Sequence, residues 1–401
     1  MVSTVTSYTD SRNHAYPGEG YDGVVRISSG KSYGSGVLLY DGRAVLTVAH
    51  LFGGSSSGAS IHFETTFGKQ TITSARIDII PTYDSVNANN DLALVWLSSA
   101  APVTAERYSL YRGSDEIDKT MVMVGYGLPG TGATGKLTTY NGNPVRLKAS
   151  NQFDADIATL KKWLGSEMAW SPAGGTQLVA DFDDGSSTHD ALGRLINQPG
   201  TGLGQDEGLT TPGDSGGPAF INGQVAGIAS YTASLSKGSI QPDFDSVDNN
   251  SFGEIGDCQR VSYYQQWIDQ SLRAQYPNAP TKPEQVQTAV TEGNSGTSYA
   301  YFLLQFIGVR SDPNQVLSVD YATRDGTAKA DEDYLSVNGS LRIYPNENYA
   351  VIPVEIIGDT ISELDETFYL DVFNPTGGGF GTDVVKLTAI RTIVNDDGGW
   401  S

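Results

Sequence analysis

Thr211-Pro-Gly-Asp-Ser-Gly-Gly-Pro218 is the stretch on which the reading of this chain turns. A serine set among glycines lets the backbone approach a substrate carbonyl closely and aim several amides at one spot. By itself such a string is more often only a turn. Two further strings change its weight. Val45-Leu-Thr-Val-Ala-His-Leu51 ends an apolar strand pattern on a histidine, and Asn89-Asn-Asp-Leu-Ala-Leu-Val95 puts an aspartate at the mouth of another. Alone, His50 reads as a satisfied core histidine and Asp91 as a strand cap. Together they occur in the order His50, Asp91, Ser215, each at the edge of a strand.

On these three motifs, residues 20–275 resemble the chymotrypsin/trypsin-like serine proteases. The resemblance implies two packed six-stranded β-barrels, a closing helix and an active site in the cleft between the barrels. It makes Ser215 the nucleophile, His50 the general base and Asp91 the residue that holds the imidazole tautomer. The N–H groups of Gly213 and Ser215 become the oxyanion hole, a donor of this kind being worth roughly 3–4 kcal/mol. No cofactor is implied for catalysis. His14, His62 and His189 lack the context and read as surface or core residues.

The chain departs from that pattern in two places. Activated members bury a new N-terminal amine against the aspartate before the nucleophile, here Asp214. The matching region is Thr9-Asp-Ser-Arg-Asn-His14, and cleavage after Arg12 would offer Asn13, a polar plug for an apolar pocket. Asp214 is therefore expected to have another partner, or activation to work differently. In the specificity pocket Leu209 stands where trypsin-like members carry an aspartate. The walls are expected from Ser230, Tyr231 and Thr232 and from Gly256 and Asp257, the last offering a negative charge from the opposite side. The expectation is an apolar or mixed preference.

The chain has 401 residues and a formal charge of −21, which sets aside nucleic-acid binding by a basic face. No apolar run reaches the ~18 residues of a membrane helix. Cys258 is the only cysteine, so intrachain disulfides and cysteine-based zinc sites are excluded; it reads as a small buried hydrophobe. The first ten residues have neither a basic segment nor an apolar core and are not read as a signal peptide. Short Val-, Ile-, Thr- and Tyr-rich stretches between turn residues mark an all-β chain. Helical spacing shows at Ile157, Leu160, Trp163 and Leu164, and again over Ser262–Ala274. Between Gly127 and Gly213 lies an insertion containing Asp181-Phe-Asp-Asp-Gly-Ser186, readable as a Ca²⁺ loop or as a polar turn bonding its own backbone.

Tyr276-Pro-Asn-Ala-Pro-Thr-Lys-Pro-Glu284 has the composition of a stiff linker. The organisation expected is an N-terminal segment (1–19), a protease domain (20–275), a linker (276–283) and a second domain (284–401). Residues 281–401 carry 18 acidic against 7 basic residues, more than twice the acidic excess per residue of the rest. Strands recur there at sandwich intervals, beginning with Leu303–Val309. Val290-Thr-Glu-Gly293, Asp325-Gly-Thr-Ala328, Glu332-Asp-Tyr334, Ile361-Ser-Glu-Leu-Asp-Glu-Thr-Phe368 and Ile393-Val-Asn-Asp-Asp397 make this part similar to a Calx-beta domain, an immunoglobulin-like calcium-binding sandwich. The resemblance implies Ca²⁺ ligands at Glu292, Asp333, Asp359, Glu363, Glu366, Asp396 and Asp397. Gly358 and Thr360 flank Asp359 where strongly binding relatives carry aspartates, so a spacer or adhesion unit is the other reading.

The sequence thus points to a serine endopeptidase acting on proteins or peptides, with a calcium-binding accessory module, secreted or periplasmic. The rival from another class is a calcium-dependent adhesion or binding protein whose protease domain is inactive or unactivated. Oligomeric state is not legible.

Overall fold

The computed structural model describes residues 2–53, 58–140 and 142–398. The chain forms two compact units, Met1–Leu39 with Arg43–Gln265, and Tyr40–Gly42 with Gln266–Ser401.

The first unit opens with β1 (Val2–Thr4), followed by β2 (Val24–Ser29), β3 (Ser32–Leu38), β4 (Ala44–Thr47), β5 (Ser60–Thr65), β6 (Gly68–Ile79) and β7 (Ala93–Leu97). Strands β2 to β7 close a six-stranded barrel in the order β2-β3-β4-β7-β6-β5. The period-two pattern of Ser60-Ile-His-Phe-Glu-Thr65 alternates burial residue by residue, sending Ile61 and Phe63 into the barrel beside Val25, Ile27, Val37 and Leu46.

Ten strands follow: β8 (Thr120–Gly125), β9 (Gly130–Thr131), β10 (Gly135–Lys136), β11 (Leu147–Gln152), β12 (Ala155–Asp156), β13 (Gln177–Asp181), β14 (Gly208–Thr210), β15 (Pro218–Ile221), β16 (Gln224–Ala233) and β17 (Ile255–Arg260). The second six-stranded barrel expected from the resemblance is not what forms. Instead a seven-stranded antiparallel sheet runs β11-β8-β15-β16-β17-β13-β12, and a separate four-stranded sheet runs β10-β9-β1-β14. The insertion adds the short strand β12 to one edge, and the N-terminal strand β1 takes β14 as its antiparallel partner (Val2↔Thr210).

Helix α1 (Ile157–Leu164) is capped by the Asp156 side chain, which accepts from the Ala158 N–H at 2.8 Å. With α2 (Ala191–Ile196) it covers the sheet through Ile157, Leu160, Leu164, Leu192 and Leu195. Trp163 does not share that face: it is about half exposed, one position off the stripe. Helix α3 (Val261–Arg273) begins the transition to the second unit, matching the spacing of Val261, Tyr264, Ile268 and Leu272, all buried.

The second unit contains β18 (Ala289–Thr291), β19 (Thr297–Gln305), β20 (Leu317–Asp325), β21 (Asn338–Ile343), β22 (Tyr349–Ile357), β23 (Glu366–Thr376) and β24 (Lys386–Val394). A five-stranded sheet, β18-β24-β23-β20-β21, and the pair β19-β22 enclose a core that includes Phe302, Tyr321, Tyr334, Ile352, Val354, Phe368 and Leu370. The strand expected over Leu303–Val309 is shifted. Pairing with β22 runs from Thr297 to Gln305, leaving Ile307 and Val309 almost fully exposed. Their apolar character outlasts the strand because register with β22, not hydrophobicity, sets its end.

Candidate active site

β4 and β7 are antiparallel neighbours with Thr47 opposite Ala93. The end of one therefore lies beside the start of the other. His50, just after β4, and Asp91, just before β7, meet on that edge. Asp91, 1 % exposed, accepts from the His50 backbone N–H through Oδ1 at 2.8 Å and holds His50 Nδ1 through Oδ2 at 2.6 Å. That second contact assigns the Nδ1–H tautomer and leaves Nε2 as the acceptor. The Asp91 N–H donates to Gln259 Oε1 at 3.2 Å, and Ser230 Oγ donates to Asp91 Oδ2 at 2.7 Å.

Ser215 sits half-buried in the turn between Thr211 and β15. Its carbonyl accepts from the Ser35 N–H at 2.8 Å. The amides of Asp214, Gly216 and Gly217 are spent on Thr211, Ala229 and Asp214 carbonyls, respectively. Among the described residues no backbone hydrogen bond takes the N–H of Gly213 or Ser215, leaving the two amides assigned to the oxyanion hole unspent. Gly213 has φ +100°, and a Cβ there would lie 2.6 Å from the Tyr33 ring, so glycine is required on both counts. Among the described residues Ser215 Oγ makes no hydrogen bond to His50; in substrate-free sites this contact is often long.

Asp214 has the partners that the sequence left unnamed. Its Oδ1 accepts from Gly127 N–H at 2.8 Å, and its Oδ2 accepts from Thr211 N–H at 2.9 Å and Thr211 Oγ1 at 3.1 Å. Asn13 is buried, donating from Nδ2 to Thr6 Oγ1 and the Ser7 carbonyl, both at 3.0 Å.

Beside Ser215 lies a cavity of about 190 Å³ lined by Thr210, Thr211, Pro212, Ala229, Ser230, Tyr231 and Thr232. Three of the expected wall residues do not line it. Leu209 points the other way from Thr210 along β14, into an apolar cluster with Phe182 and Phe252. Gly256 lies behind Leu209, where a Cβ would come within 2.7 Å of Leu209 Cδ1. Asp257 is buried, and that burial, then the charge of Asp91, holds its carboxyl well above the usual range. It supplies no charge to the cavity. Cys258, next in β17, is buried with Phe153 and Leu178, its thiol pushed up by burial.

In the second unit Asp333, Glu363 and Glu366 each offer an oxygen within 4.8 Å of the others. Burial, then the neighbouring Asp333, raises the Glu366 carboxyl. Glu292 is raised by burial and by the charges of Asp359, Glu363 and Asp397. Asp359 Oδ1 instead accepts from Ile361 N–H at 2.6 Å, and Asp396 Oδ1 from Gly293 N–H at 3.0 Å. Asp397 has one buried oxygen, Oδ2, without a hydrogen-bond partner.

Comparison with known proteins agrees with this division. Residues 10–157 match the family described as Trypsin, and residues 304–397 match the Calx-beta domain. Mouse sodium/calcium exchanger 2 is 31% identical over 153 residues, 31% of this chain and 17% of the exchanger. The Drosophila melanogaster sodium/calcium exchanger Calx is 39% identical over 88 residues, 22% of this chain and 9% of the exchanger. The chain thus spans less than a fifth of either relative. Among solved structures, mouse neuropsin, a serine protease, aligns with TM-score 0.47 and 17% identity, covering 65% of this chain and 98% of neuropsin. The chain joins a trypsin-like domain to a C-terminal Calx-beta domain.

Proposed function

We infer that the first unit is a serine endopeptidase. The observation that carries this reading is the buried Asp91 carboxylate, which fixes the His50 ring while Ser215 stands in a turn with two unspent amides. Ser215 Oγ attacks the scissile carbonyl carbon as His50 Nε2 takes its proton, and the carbonyl oxygen gains negative charge toward the Gly213 and Ser215 amides. Collapse breaks the C–N bond, His50 returns the proton to the leaving amine, and Ser215 is acylated. Water, deprotonated by His50, then releases the acid and regenerates Ser215. Asp91 stabilises the imidazolium throughout.

The cavity beside Ser215 has no ionisable wall except the Tyr231 phenol, so the side chain before the cleaved bond is uncharged: a basic one would lose its water without a carboxylate in return. Gly127 and Thr211 both hold Asp214, which supports a nucleophile turn braced by the chain's own backbone and threonine. Substrates are proteins or peptides, and the setting is secreted or periplasmic.

Asp333, Glu363 and Glu366, with Glu292, Asp359 and Asp397 close by in electrostatic terms, fit Ca²⁺, a hard ion that takes carboxylate oxygens; the unpartnered Asp397 Oδ2 favours this. A calcium-dependent binding protein is the competing reading, favoured by the acidic cluster of the second unit. Hydrolysis of fluorescent casein and of cell-derived protein mixtures, by the chain and by Ser215→Ala, each with Ca²⁺ or chelator, separates them. Activity lost in Ser215→Ala supports the endopeptidase; no activity in either protein refutes it.

A further inference from the structure

The insertion carries a second acidic site, far in sequence from the Calx-beta ligands. Asp181 ends β13, Asp183 follows in the loop, and Asp190 precedes α2. One oxygen from each lies within 4.8 Å of the others, and each residue is only 4% exposed. Asp184, by contrast, makes the ordinary polar turn, accepting from the Ser186 N–H at 2.8 Å and pairing with His189. The two readings of Asp181–Ser186 therefore divide between neighbouring residues.

Most of the cluster is restrained by its own backbone. Asp181 Oδ2 accepts from Leu192 N–H at 2.7 Å, Asp190 Oδ1 from Gly193 N–H at 2.6 Å, and the buried Glu207 from Asp183 N–H at 2.7 Å. Asp183 is the exception. Its Oδ1 is buried and has no hydrogen-bond partner, and its carboxylate offers an oxygen to the cluster. Gly202 lets the chain close over it: a Cβ there would lie 2.8 Å from Asp183 Cβ and inside contact distance of Glu207 Oε2. Among the described residues none of Asp181, Asp183, Asp190 and Glu207 forms an ion pair.

Buried carboxylates without a counter-charge take up protons or a cation. A proton on Asp183 neutralises that carboxyl alone and leaves the charges of Asp181 and Asp190 buried. A cation satisfies all three carboxylates at once. Oxygens that all lie within 4.8 Å of one another can be reached by a single ion with bonds of ~2.4 Å. We propose that Asp181, Asp183 and Asp190 bind a single divalent cation of the calcium type, with Glu207 positioning Asp183 through its backbone amide. Without the ion, burial first, and then the charges of Asp181 and Glu207, raise the Asp183 carboxyl. Glu207 leads directly into β14 and the cavity wall at Thr210 and Thr211, so the ion ties the insertion to the wall beside Ser215.

Calcium titration of the full chain by calorimetry, with scanning calorimetry in chelator, tests this apart from any catalytic activity. Asp183→Asn is expected to bind one equivalent fewer than the parent while unfolding in chelator at the same or a higher temperature, because it replaces a carboxyl that without the ion must either take up a proton or repel its neighbours. Glu363→Gln/Glu366→Gln is expected to retain that equivalent, which Asp183→Asn then removes. An unchanged stoichiometry in Asp183→Asn overturns the site and leaves a protonated cluster. Should Asp183→Asn fold poorly, Asp190→Asn is counted in the same way: one equivalent lost supports the site, none lost overturns it.

Discussion

Ser230 reaches Asp91 from a strand bulge. In β16, Ala229 pairs with Cys258 and Tyr231 with the adjacent Asp257, so Ser230 is the extra residue between them. The bulge turns its hydroxyl to donate at 2.7 Å to the same Asp91 oxygen that holds His50 Nδ1. Ser230→Ala leaves that oxygen one donor short. A hydrogen bond to a charged group contributes about 1.5–3 kcal/mol, so kcat/KM is expected to fall roughly tenfold or more. Asp91→Asn loses far more, about 10⁴ in kcat, because it inverts the tautomer preference of His50. Steady-state kinetics on one peptide substrate ranks the two; equal losses would contradict these roles.

Asp214 is held both from within its own turn, by Thr211, and from outside it, by Gly127. Thr211→Val keeps the shape but removes the hydroxyl that bonds Asp214 Oδ2 and the Leu128 carbonyl. A loss of about 1–3 kcal/mol in stability is expected by urea unfolding, with kcat reduced more than KM is raised. Cleavage after Arg12 is expected to give no activation. Proteolytic activity that appears only after such a cut would mean that the turn is assembled in another way.

The cavity beside Ser215 favours uncharged side chains. In a peptide series differing only before the scissile bond, Ala, Leu or Phe is expected to exceed Lys and Arg by at least about tenfold in kcat/KM. That ratio corresponds to about 1.4 kcal/mol, less than the cost of an unpaired buried charge. Cleavage favouring Lys or Arg would place a carboxylate in the pocket that the structure turns inward.

Burial pushes Glu207 and Glu254 up to about 7. A carboxyl raised in the folded state stays protonated where the unfolded chain has already ionised. Its stabilising contribution is present below the ordinary value near 4.5 and is lost as pH rises through about 7. In chelator the unfolding midpoint is therefore expected to fall between pH 5 and pH 8, Glu207 alone accounting for up to about 3 kcal/mol. Glu207→Gln flattens that slope. A midpoint that rises over this range in chelator would contradict the assignment.

The candidates Ser215, His50 and Asp91 were legible because each lies in a short string of distinctive local character: glycines around a serine, and a polar residue at the edge of an apolar strand. The apolar strand patterns beside His50 and Asp91 formed as β4 and β7. Leu209 and Asp257 were misassigned because neighbours in a strand face opposite ways, and sequence offset does not say which face meets the cavity. The end of β19 was misplaced for a related reason: Ile307 and Val309 are apolar, yet β22 offers them no partner.

By itself the sequence determined the all-β class, the two similarities and the choice of His50, Asp91 and Ser215 as candidate catalytic residues, because residue type and local periodicity carry that information. Only the tertiary structure decided what faces what. The pairing of β4 with β7 brings His50 to Asp91, a bulge brings Ser230 to the same carboxylate, and Thr211 with Gly127 occupies Asp214. It also gathered Asp181, Asp183 and Asp190 around one point. These contacts depend on strand register and side-chain direction, which residue type and local periodicity do not encode.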